Sequence, residues 1–176
     1  MGDPLMQHLI HTTRAAVKDR IWYAALALAL ALPDICGRLQ SPKSGVGARY
    51  RAWWERYAMP RYMGSEAGTD DMVPWLSGAD AYALRCAFLH EGSDDITAQS
   101  AREALKRVHF VEPPRGFTVH MNGGATTTLQ VQVDIFCEDV CVGAEQWWVD
   151  HAANPTVRAH IPGLLRIYDV SGRMLT

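Results

Sequence analysis

Ile21-Trp-Tyr-Ala-Ala-Leu-Ala-Leu-Ala-Leu-Ala-Leu32 is an unbroken apolar run of 12 residues. Its leucines fall on every second position, which on its own would suit a strand. A bilayer crossing needs about 20 such residues, so the run is short for a span. It matches the core of a signal peptide in length. However, residues with a helical pattern precede it and no clean small-x-small cleavage site follows. Alanine is the strongest helix former, and the run is long for a strand. The reading is therefore a buried core helix in a mainly helical, cytoplasmic protein, with no membrane partner.

Outward from this run, both flanks read as helices. Upstream, Leu5, Leu9, Ile10, Thr13 and Val17 lie near helical spacing, with Asp3-Pro4 as cap and first-turn proline. The second helix is expected to begin near Asp19, to kink or stop at Pro33 and to close by Gly37. Downstream, Tyr50, Trp53, Trp54 and Tyr57 share one face of a third helix reaching about Met59, and read as core. Arg49, Arg51 and Arg56 lie off that face. They are a solvated face or a nucleic-acid-binding patch. Residues 64–74 read as a mobile connection. Ser77 then caps a fourth helix over 78–91, with Asp80 at the capping-box position and Gly92 as the left-handed stop.

Beyond this point the pattern changes. A short helix is expected over 98–105, then strands over 108–111, 117–121 and 127–133. Asn122-Gly-Gly124 signals a hairpin. Helical spacing returns from Asp134 to about Ala152, Asn154-Pro155 opens a further turn, and 164–168 is a candidate last strand. The expected fold is mainly α, a helical bundle with a small antiparallel β appendage in the C-terminal half. Residues 1–97 form the bundle core, and 98–176 add the β region and a C-terminal helix, all as one compact domain.

With 176 residues, the chain is long enough to bury a core; its net charge of -2 excludes binding to nucleic acid by bulk charge. Any such contact needs a local patch, and arginine outnumbers lysine 14 to 3. Cys36, Cys86, Cys137 and Cys141 sit among apolar neighbours and read as buried thiols. No metal site or cofactor is expected. Asp70-Asp71 and Asp94-Asp95 read as solvated loop charge. A phosphate loop and a Gly-x-Ser-x-Gly elbow are both absent from the sequence.

One hexapeptide carries chemistry: Arg85-Cys-Ala-Phe-Leu-His90, near the end of the capped helix. Arginine grips phosphate with two prongs and histidine moves protons near neutral pH. A second Arg-x4-His match, Arg115 to His120, lies in a Pro/Gly-flanked stretch and reads as accidental. On an ideal helix, positions five apart are about 140° apart and share no face. Arg85 therefore has either Glu91 or Asp34 as a structural partner, or it sweeps along the helix toward His90.

The motif and the helix order before it resemble the HEPN superfamily (higher eukaryotes and prokaryotes nucleotide-binding domains) over roughly residues 5–92. At position 86 the chain has Cys86, where that family more often carries a polar side chain. The resemblance implies an α-helical bundle that dimerises and binds RNA. It also implies metal-independent endoribonuclease chemistry, with Arg85 and His90 as catalytic residues in a groove between two copies. Many such proteins serve in toxin-antitoxin or defence systems, which implies an antitoxin or other protein partner. The rival reading is a non-catalytic helical interaction module whose Arg-His pair is structural.

Overall fold

The computed structural model describes residues 4–65, 70–100, 102–113 and 127–173. Among these are six α-helices and two two-stranded sheets, a helical bundle with a small β appendage. The helices are α1 (Pro4–Lys18), α2 (Trp22–Gln40), α3 (Val46–Tyr57), α4 (Gly78–Glu91), α5 (Val133–His151) and α6 (Pro155–His160). The strands are β1 (Met63–Ser65), β2 (Met72–Pro74), β3 (Arg107–Val111) and β4 (Thr128–Gln132).

The alternating Ala-Leu run is helical, and its burial follows the helical period. Ala25, Leu26, Ala29, Leu30, Leu32 and Pro33 are buried. The helix then departs from expectation by running through Pro33 and Gly37. Pro33 lacks an N–H and costs about 3 kcal/mol in a helix interior. The turns beyond it bury Cys36 and Leu39, and Gln40 accepts a hydrogen bond from Trp147 Nε1 at 2.9 Å. Burial of one leucine stabilises by about 1.5–3 kcal/mol, so tertiary packing outweighs the proline. By length and mean hydropathy α2 also reaches the range of a membrane span, with half of that window buried.

Gly37 does not stop the helix; it gives space to α3. A Cβ there would lie 3.2 Å from both side-chain and backbone atoms of Arg49. Gly143 of α5 does the same from another side, with Trp53 and the Tyr57 carbonyl 2.9 and 3.0 Å from a would-be Cβ. The aromatic helix α3 is thus closely approached by two neighbours, and Tyr50, Trp53, Trp54 and Tyr57 are all buried. Trp54 stacks on Phe136 with ring centroids 5.8 Å apart.

The β regions hold the other departures. Met63–Ser65 and Met72–Pro74 form the antiparallel pair β1/β2 where a connection was expected over 64–74. In the C-terminal half, β3 and β4 pair in parallel, Arg107 opposite Thr128 and Val111 opposite Gln132. A parallel pair needs a crossover between its strands rather than a tight turn. The predicted strand 117–121, the Asn122-Gly-Gly124 hairpin, the Arg115 to His120 match and the Asp3 cap lie outside the described residues. The described part of the expected helix over 98–105 is turns and bends, with Asp80 accepting from the backbone at 103–105 (below). Residues 164–168 form no named strand, and Leu165 and Ile167 are exposed.

Candidate functional site

The fourth helix forms as its sequence dictates. Ser77 is extended (φ -70°, ψ 163°) and its Oγ accepts from the Asp80 N–H at 3.1 Å. Gly92 ends the helix at φ 64°, with its N–H on the Phe88 carbonyl at 3.0 Å and Ser93 N–H on Ala87 at 3.2 Å. This left-handed stop fixes the last turn, where His90 stands exposed.

The arginine does sweep along the helix. Arg85 Nη1 lies 3.0 Å from His90 Nε2, so the two groups meet despite their angular separation. Arginine can only donate, so Nε2 accepts and the ring proton sits on Nδ1. The same guanidinium donates from Nε to Asp34 Oδ2 at 2.7 Å. Both members of this ion pair are largely buried, with side chains 19% and 15% exposed. Glu91, the alternative partner, instead accepts from Gln99 Nε2 at 3.0 Å. Asp34 is the sole acidic residue of α2 and closely follows its apolar run, and that placement was the sequence signal that it needs a cation.

Cys86, Tyr82 and Tyr50 complete the cluster. The Cys86 thiol interacts electrostatically with both Tyr82 and Arg85. Burial opposes the charge on Arg85, yet Asp34 and Cys86 outweigh it and raise its pKa. The Tyr50 ring packs 5.5 Å from Tyr82. Its hydroxyl is fully buried and pushed well above the usual phenol range, first by burial and then by Asp34. Among the described residues, neither the Tyr50 hydroxyl nor Asp34 Oδ1 has a hydrogen-bond partner. Sequence reading assigned Tyr50 only to the core; nothing in the spacing of α3 shows where its hydroxyl points.

The three other arginines are not brought together as one patch. Arg49 is half-buried and donates to the Ser44 carbonyl at 3.0 Å. Arg56 pairs with Asp150 at 3.1 Å and its guanidinium lies 5.3 Å over the Tyr57 ring. Arg49 and Arg56 border a cleft of about 50 Å³ beside Gly37, whereas Arg51 does not line it. The Arg51 carbonyl lies 3.2 Å from a would-be Gly78 Cβ, against α4. The Asp94-Asp95 pair is not free either, because Arg107 bridges both at 3.5 and 3.2 Å.

No protein-family model, curated protein or solved structure matches the chain. What the site offers is a guanidinium aimed by a carboxylate, with donors to spare, touching an exposed imidazole. Arginine carries five N–H donors, and two of them are accounted for by Asp34 and His90.

Proposed function

We propose that this protein is a HEPN-like RNA-binding protein that cleaves RNA without a metal, using Arg85 and His90 in a groove between two copies. The observation that carries the reading is the 3.0 Å contact between the two motif side chains at the exposed end of α4. Pre-orientation of Arg85 by Asp34 supports it. A phosphate oxygen takes the place of Nε2 as acceptor for Arg85 Nη1. The freed Nε2 then removes the proton of the ribose 2′-hydroxyl. That oxygen bonds to its own 3′-phosphorus, the bond from phosphorus to the 5′-oxygen breaks, and a proton returns to the leaving oxygen. Arg85 holds the added negative charge of the five-coordinate phosphorus, where a dry setting strengthens its effect.

The test is cleavage of single-stranded RNA in EDTA by purified protein, with cyclic phosphate ends as the product. His90→Ala is expected to lower the rate at least about 100-fold, the scale of a lost acid-base group, with the fold intact. An unchanged rate in the variant refutes the assignment.

One observation favours the rival reading, a non-catalytic interaction module. The Arg85–Asp34 pair is largely buried between α2 and α4 and suits a structural role. An RNA-inert protein in which Arg85→Ala costs stability and leaves partner binding unchanged would establish that reading.

A further inference from the structure

A cavity of about 780 Å³ opens on the face of α4 that carries Leu84, Phe88 and Glu91; neither Arg85 nor His90 lines it. We propose that this cavity is a binding site for a small organic cation with an aromatic or aliphatic body, independent of the RNA reading. Its size falls in the range of small-molecule sites. Trp22, Tyr23, Phe88 and Phe110 contribute aromatic walls. Two of these are fixed in place: Trp22 Nε1 donates to Glu112 at 3.2 Å, and Phe110 meets Phe136 edge-on at 5.1 Å. Tyr23 stands 81% exposed at the mouth, a large ring with little of its own fold to pack against.

Charge selects the ligand. Among the described residues the lining includes Glu91, Asp94 and Glu112 and no lysine or arginine. Asp94 shares Arg107 with Asp95 and lies 2.9 Å from His109 Nε2, and Glu112 pairs with Arg20. Glu91 accepts only from the neutral Gln99 amide among the described contacts, so its charge is left over. An anion entering here faces three carboxylates, and a neutral guest leaves Glu91 without a counterion. The Arg20 guanidinium already lies 5.8 Å from the Trp22 ring, so a cation meets the spare carboxylate and the rings of Tyr23, Phe88 and Phe110.

Titration calorimetry of the intact chain with tryptamine and with benzyltrimethylammonium tests this, with indole-3-acetate as the anionic counterpart. Saturable binding of the cations is expected, at least about tenfold tighter than the anion, as one ion contact is worth. Glu91→Gln and Tyr23→Ala should each weaken it about two- to fivefold. Both residues are exposed, so the fold is preserved. No saturable binding by either cation, equal binding of the anion, or variants that bind like the parent would overturn the proposal.

Discussion

The two ends of α4 use polar residues in opposite ways. At its start, Asp80 is 2% exposed and its carboxylate is saturated. It accepts from Ser77 Oγ at 3.2 Å and from the backbone N–H groups of Glu103 at 2.7 Å and of Ala104 and Leu105 at 3.3 Å. At its end, Arg85 is anchored by one carboxylate oxygen, keeps spare donors and reaches an exposed imidazole. Polar groups whose bonding capacity is spent inside the protein hold the fold. Polar groups that keep some in reserve are the ones able to meet a ligand.

Substitutions can break this contrast, and the largest effect belongs to the saturated end. Asp80→Ala removes the acceptor of three backbone N–H groups, of which the one on Leu105 is buried, and should cost about 3 kcal/mol in urea unfolding. A cost below about 1 kcal/mol would mean that the loop it holds is independent of the bundle. Asp34→Ala strips Arg85 of its counter-charge and should cost about 2 kcal/mol. If that variant kept full RNA cleavage, orientation of Arg85 by Asp34 would be irrelevant to chemistry. Ser77→Ala removes a helix cap and should cost about 1 kcal/mol.

A surface pair remote from α4 sets the lower scale. Arg14 bridges Glu138 at 2.7 Å and Glu145 at 2.5 Å, tying α1 to α5. Hydrogen bonding from Arg14 holds Glu145 below the ordinary carboxylate range. The folded pKa is therefore lower than the unfolded value near 4.3, so this stabilisation is present above that pH. It fades as pH falls through the depressed value. Because the glutamates are about half exposed, the amount is about 0.5 kcal/mol after screening. Arg14→Gln should flatten this share of the acid-side loss, read as melting temperature against pH. Smallest of all, His90→Ala should move stability by less than about 0.5 kcal/mol, the surface-residue norm. A larger loss would place His90 with the structural end.

The helical fold was legible where local signals and packing agree. The caps at Ser77 and Gly92 and the aromatic face of α3 lie where the spacing puts them. The continuation of α2 was not legible, because the gain that overrides Pro33 comes from α5, over 100 residues away at Trp147. Nor was the loop at 103–105, whose acceptor is on another element. The parallel pairing was hidden because strand direction depends on the path of the crossover. For the candidate site, the motif gave Arg85 and His90 and named Asp34 among the options. A lone carboxylate at the end of the apolar run could have decided for it. The split of Arg49, Arg51 and Arg56 follows from helical angles that residue spacing alone would have shown.

The parallel β3/β4 ladder also sets an order of assembly. Hairpins zip locally, but β3 finds no mate until the polypeptide has travelled through the crossover to Thr128. β4 continues without a break into α5, so docking that helix is what delivers the second strand. The stretch from His109 to Glu112 walls the aromatic cavity. A nascent chain emerging from the ribosome thus has α1 to α4 available for early collapse, and completes this cavity only in the closing step.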